Sequence, residues 1–149
     1  MLTKTIEQFL DKKKWKYTKL KDSNVFLFGI TGKNGMFQSI IDLGENENEF
    51  ALYSICSDRA KRENYGKVLE ILNQLNYNLF LGNWELDTKD GEIRFRTTMF
   101  LHGFNPSESF IEQFILTHLS TVDSQLQRVY VGILLGMSSG IEKSKSKSK

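Results

Sequence analysis

Three side chains in this sequence could act as a nucleophile or base near neutral pH: Cys56, His102 and His118. A thiolate–imidazole pair needs its two groups within hydrogen-bond reach, and a zinc site needs several Cys, His or acidic ligands at close spacing. One cysteine and two histidines supply neither a ligand cluster nor an internal disulfide. Cys56 falls on the inward side of an apolar strand, His118 on the apolar stripe of the last helix, and His102 just after the last strand. Those positions suit packing or a simple hydrogen bond better than catalysis. Asp42, Glu45, Glu47 and Glu49 could pair for acid–base work or hold a cation weakly, but they lie in and beside a connection between strands and read as a solvated loop. The glycines of Gly29-Ile30-Thr31-Gly32-Lys33-Asn34-Gly35 lack phosphate-loop spacing and lead into a strand, so they serve turn geometry. Arg94 and Arg96 beside aromatic residues have the ingredients of a single-strand nucleic-acid platform, yet Glu85 and Asp87 stand across from them and cancel the field. The expectation is a non-enzymatic chain with no catalytic residue, no metal site, no cofactor and no nucleic-acid partner.

Charge supports that reading once its location is considered. The chain has 149 residues and a formal net charge of +2, from 20 basic and 18 acidic residues. Four of the lysines, Lys143, Lys145, Lys147 and Lys149, lie in the final run SSGIEKSKSKSK against a single Glu142, so the body is close to neutral. Alternating Ser and Lys offers no apolar face to bury, and residues 137–149 are expected to be a disordered tail outside a single domain spanning 1–136. Deleting residues 138–149 should then leave the melting temperature within about a degree, measured by circular dichroism, because the run buries nothing. A cooperative loss on truncation would show that it docks. No segment carries the roughly 20 apolar residues of a membrane span, and Met1-Leu2-Thr3-Lys4-Thr5 has no signal-peptide run. With the lone cysteine, this places the chain in the cytoplasm.

The elements that must position these residues follow from periodicity and parity. Leu2, Ile6, Phe9 and Leu10 have helical spacing, and Trp15 to Leu20 reads as a first strand. Val25 to Ile30 is an apolar run that ends in Asn34-Gly35, a hairpin turn. Opposite residues of an antiparallel pair point the same way, so an even loop puts Phe26, Phe28 and Ile30 with Phe37, Ser39, Ile41 and Leu43 on one face. Through a six-residue connection, Phe50, Leu52 and Cys56 join them. Asp58 is read as the N-cap of a helix running to Asn76, followed by strands Leu79–Leu86 and Glu92–Leu101 joined through Asp90-Gly91. Parity puts Phe80, Trp84 and Leu86 with Ile93, Phe95, Met99 and Leu101 on the core face. Asn105, Pro106 and Glu108 mark the start of a last helix, with Asn105 as its cap, whose stripe from Ile111 to Ile133 ends near Gly136. The fold class is α+β: an antiparallel sheet of about five strands with three helices packed on it.

The segment Leu75-Asn76-Tyr77-Asn78-Leu79-Phe80-Leu81-Gly82-Asn83-Trp84-Glu85-Leu86-Asp87, followed by Asp90-Gly91-Glu92-Ile93-Arg94-Phe95-Arg96-Thr97, resembles the YbjN-domain family of bacterial proteins. The hairpin from Phe28 to Gly35 with Phe37, the Leu52-Tyr53-Ser54 strand and the helix ending at Trp15 are similar to the family as well, so the likeness covers residues 1 to about 135. The resemblance implies a fold like that of type III secretion chaperones and a role in regulating sensory transduction, with no catalytic motif. Family members often carry a Pro shortly after the Tyr-Ser strand, where this chain has Ser57-Asp58.

Counting faces gives the partner expectation. The face away from the three helices still carries Val25, Leu27, Ile40, Tyr53, Ile55, Leu81 and Phe100, more apolar side chains than a solvated sheet face usually shows. Leu27, Ile40, Tyr53, Ile55, Leu81 and Phe100 are therefore the candidate partner-binding residues, with Glu85, Asp87, Arg94 and Arg96 as a polar rim. The expected function is a regulatory or chaperone-like module that binds another protein or a second copy of itself. The alternative is a small-ligand sensor with a closed apolar pocket between sheet and helices.

Overall fold

A computed structural model describes residues 2–146, with side chains from 2 to 135. Helix α1 (Leu2–Lys12) precedes strands β1 (Tyr17–Lys19), β2 (Val25–Thr31), β3 (Met36–Asp42) and β4 (Glu49–Cys56). Helix α2 (Tyr65–Tyr77), strands β5 (Asn83–Leu86) and β6 (Ile93–Phe100) and helix α3 (Glu108–Ser146) complete the chain. The six strands form one sheet in the order β1-β2-β3-β4-β6-β5, antiparallel throughout. The α+β expectation holds, with one more strand than the five anticipated.

Parity survives in the registers. Thr31 pairs with Met36, Asp42 with Ala51 and Leu86 with Ile93, each across an even connection. Phe26, Phe28, Phe37, Ile41, Leu43, Phe50, Leu52, Cys56, Trp84, Ile93 and Phe95 all lie buried in one core with the apolar stripes of the three helices. Burial of these large side chains is the main stabilising term, at about 2 kcal/mol each. Lys14, with φ of 57°, ends α1 in the left-handed region, and the Trp15 amide donates back to the Leu10 carbonyl. Trp15 then packs edge-on to Phe9 and stacks on Phe28, fixing α1 against β2.

Three local expectations are corrected. The second helix does not begin after Asp58: residues 57–61 form a loop whose Ala60 amide donates to the Gly91 carbonyl at 2.9 Å, and a 3-10 turn, Arg62–Asn64, leads into α2. A tertiary backbone bond thus holds Ala60 out of helix. The cap of α3 is Ser107 rather than Asn105, since the Ser107 hydroxyl accepts from the Phe110 amide and its carbonyl from the Ile111 amide. Strand β5 starts at Asn83, not Leu79, because Gly82 takes φ of 80° and breaks the alternation. Phe80, expected in the core, is consequently fully exposed, and Leu81 leaves the open sheet face.

The helical backbone of α3 runs on to Ser146, past Gly136. A glycine within a helix costs only about 1 kcal/mol, too little by itself to stop a long one. The side chains expected to form the Ser/Lys tail, and residues 147–149, lie outside what the structure describes.

Candidate functional site

Cys56, His102 and His118 are not assembled into a reactive group. His118 projects from the middle of α3 onto the sheet, where its Nε2 lies 2.9 Å from the Ser54 hydroxyl and its Nδ1 2.9 Å from that of Thr97. One imidazole thus bridges hydroxyls on β4 and β6, and Ser54 in turn meets the Ser39 hydroxyl of β3 at 2.8 Å. A Ser–His distance of 2.9 Å is that of a nucleophile and its base. Here both groups are sealed, at 1% exposure each, and burial pushes the His118 pKa down to about 3. An imidazole with that pKa is a weak base, and both of its nitrogens are occupied. Burial also pushes the Cys56 thiol up to about 12, with Asp58 adding to the shift, so the group remains a neutral thiol. His102 is exposed beyond β6.

The acidic connection contains a function that the sequence reading assigned to solvent. Glu47, at φ of 53°, turns its carboxylate onto the start of α1 and accepts from the amides of Leu2 and Thr3, both at 2.9 Å. Partial burial works against its ionisation, but these bonds and one from the Thr3 hydroxyl hold its pKa at about 2. It is a helix cap supplied from 44 residues away in the chain. Asp123 of α3 does the same for the first hairpin: its carboxylate accepts from the amides of Lys33 and Asn34. An added Cβ at Gly32 would lie 2.2 Å from that carboxylate. No local pattern marks either acid for such a role, because each partner is remote in sequence.

The open sheet face is a continuous surface. Leu27 pairs with Ile40, Ile40 with Tyr53, and Tyr53 with Arg96, which makes one row across β2, β3, β4 and β6. Beside it, Gln38 pairs with Ile55, Ile55 with Arg94, and Arg94 with Glu85. Val25, Leu27, Ile40, Tyr53 and Ile55 are half-buried, whereas Phe100 is 79% and Met36 64% exposed. The helices pack their buried side chains into the core on the other side. The Arg94 guanidinium lies over the Tyr53 ring, 4.9 Å from its centroid, and Arg94 and Arg96 both reach Glu85. Burial opposes ionisation of Glu85, but hydrogen bonds from Arg94 and Asn83 and the two guanidinium charges lower its pKa. The rim thus holds two guanidiniums on one carboxylate, an excess of one positive charge. Asp87 is not part of it, being turned into the β5–β6 loop, where it accepts from Lys89.

Of the six candidate partner-binding residues, Leu27, Ile40, Tyr53, Ile55 and Phe100 share this face. Leu81 does not. It borders a cleft of about 310 Å³ on the helix side of β6, with Met99, Phe110 and Phe114. A model of the YbjN family, described as "Putative bacterial sensory transduction regulator", matches residues 3–128. The chain belongs to the YbjN family. Its fold is that of a solved member: the crystal structure of YbjN from E. coli, described as "a putative transcription regulator", superposes with a TM-score of 0.63. That match covers 85% of this chain and 87% of the other, at 12% sequence identity. Curated proteins give no match. The YbjN match spans the sheet, α1, α2 and α3 as far as residue 128. Among the described residues no helix is long and apolar enough to cross a membrane, and no group of three or more His, Cys, Asp or Glu could hold a metal ion.

Proposed function

We propose that this YbjN-family chain is a non-enzymatic regulatory module of the cytoplasm that docks a protein partner on its open sheet face. The observation that carries the reading is the apolar row Leu27–Ile40–Tyr53, extended by Ile55 and Phe100, on the side of the sheet opposite the helices. An uncharged row beside a rim in which Arg94 and Arg96 both pair with Glu85 favours burial of the row against another apolar surface, with the charged groups left at its edge. The family's description as a regulator agrees. The space between sheet and helices is filled by Phe26, Phe50, Phe95 and their neighbours, which favours protein docking over a small ligand held in the interior.

A photoreactive benzoylphenylalanine placed at Ile40, and for comparison at Leu69 on the exposed side of α2, tests this in native lysate. Crosslinked products at Ile40 are expected at least fivefold above those at Leu69, and Leu27→Ser with Tyr53→Ser should abolish them while circular dichroism shows the fold retained. Equal capture at the two positions, or capture indifferent to the double change, would refute the reading.

A further inference from the structure

Strand β5 pairs with β6 only from Asn83↔Arg96 to Leu86↔Ile93, so the second half of β6, Thr97 to Phe100, has β4 on one side and no strand on the other. Which of its backbone groups are left free follows from Trp84. The Trp84 backbone amide donates to the Asn76 side-chain oxygen at 2.7 Å, and the Asn76 side-chain Nδ2 donates to the Trp84 carbonyl at 3.0 Å. Trp84 therefore points away from β6, and its neighbours Asn83 and Glu85 carry the β5–β6 bonds to Arg96 and Arg94. Continuing the alternation, Thr98 and Phe100 turn their N–H and C=O groups to the same side, where the strand has ended. The Leu101 amide, one position on, points the other way and donates to the Asn48 carbonyl at 2.8 Å.

The other two sheet edges are protected. Asn76 caps the outer edge of β5, and β1 is three residues long, ends in Lys19 and is flanked by Lys16 and Lys21. The free part of β6 instead lies between two clefts. On the helix side is the cleft of about 310 Å³ bordered by Leu81, Met99, Phe110 and Phe114, with no charged residue in its lining. On the open side is one of about 250 Å³ bordered by Tyr53, Ala51, Phe100 and Glu49, the last being the only charged lining residue. Glu49 is exposed and takes part in none of the ion pairs among the described residues.

We infer that the Thr98–Phe100 edge takes an extended segment of a partner protein by strand addition, with large apolar side chains alternating with basic ones. This rests on the protein-docking reading and names the kind of segment docked. Main-chain bonds to Thr98 and Phe100 supply register, and the clefts on either side select alternate side chains. Residues opposite Thr98 and Phe100 point to the open face, beside Glu49, and should be Lys or Arg. The residue between them sits opposite Met99 and projects into the apolar cleft.

The probe is an end-blocked peptide, Lys-Leu-Lys-Leu-Lys-Leu-Lys, titrated into the full chain and followed by backbone amide shifts. Two versions carry N-methyl groups, one on every Lys amide and one on every Leu amide. Shifts are expected at Thr98 and Phe100. The Lys-methylated peptide should bind at least tenfold more weakly than the Leu-methylated one, because the Lys amides face the edge. Glu49→Gln should weaken binding several-fold. Thr98→Pro should abolish it with the fold retained, since that N–H belongs to no ladder; should the variant fail to fold, the methylated pair decides on the unaltered chain. Equal weakening by both methylations overturns the inference. Shifts confined to Leu27 and Ile40 overturn it while leaving the open-face reading intact. A dimer by light scattering, with the Thr98 and Phe100 amides protected from exchange before any peptide is added, overturns it in favour of a second copy.

Discussion

Between pH 7 and pH 5 the protein is expected to lose about 2 kcal/mol of stability, and His118→Gln to remove most of that slope. Folding carries the imidazole from an ordinary value of 6.5 down to about 3 through burial, so the native state refuses a proton that the unfolded chain accepts. Stability is therefore complete above pH 6.5 and falls as the pH drops towards 3. The groups facing His118 are the hydroxyls of Ser54 and Thr97 and, at 5.0 Å between ring centroids, Phe95. None of these is a carboxylate that would stabilise an imidazolium. The carboxylates whose pKa values are lowered by folding, Glu47 and Glu85 among them, also cost stability as the pH falls, but only below the ordinary 4.5. The interval from 6.5 to 4.5 thus isolates the histidine. Urea midpoints at pH 7, 6 and 5 read the effect as a slope, whatever the variant's absolute stability. Identical slopes for both proteins would show that His118 is not the group refusing the proton.

The second large effect is expected at Gly91, where Gly91→Ala should cost about 3 kcal/mol. The left-handed backbone accounts for about 1–2 kcal/mol of this. An added Cβ would also lie 2.0 Å from the Ala60 carbonyl oxygen, at a φ of 81°, so the 57–61 loop must move and strain its bond to the β5–β6 turn. Gly103→Ala is the control, because Gly103 has φ of 75° but nothing within 4 Å of an added Cβ. It carries the conformational cost alone. Gly66→Ala, in the first turn of α2 with open space around it, should be stabilising by up to about 1 kcal/mol. Thermal melts of the three variants give the order. A Gly91 variant no less stable than the Gly103 variant would mean that the close approach of the two loops carries no energy.

The division of the sheet into two faces was legible in the order of residues along the chain. The even hairpin connections, marked by Asn34-Gly35 and Asp90-Gly91, set which side chains share a face, and the apolar ones had to be inward; burial of Phe26, Phe28, Phe37, Ile41, Phe50 and Phe95 follows from that alternation alone. His118 could be placed on the inner stripe of α3 for the same reason, by helical spacing. The row Leu27–Ile40–Tyr53 was legible as the remainder.

Alternation fails wherever the backbone leaves the regular β region, and there the outcome rests on contacts between distant parts of the chain. Gly82 at φ of 80° ends the strand, and with it the rule that had put Phe80 inside and Leu81 on the open face. The contact of Ala60 with Gly91 delays α2 past Asp58, Glu47 caps a helix far from it in the chain, and Asp123 clamps the first hairpin turn. These are interactions between residues remote in sequence, so neither periodicity nor local capping preference contains them. The free edge of β6 is of the same kind. It exists because β5 is four residues long against eight in β6, and that inequality arises where Gly82 must pass close to Phe95 and Thr97.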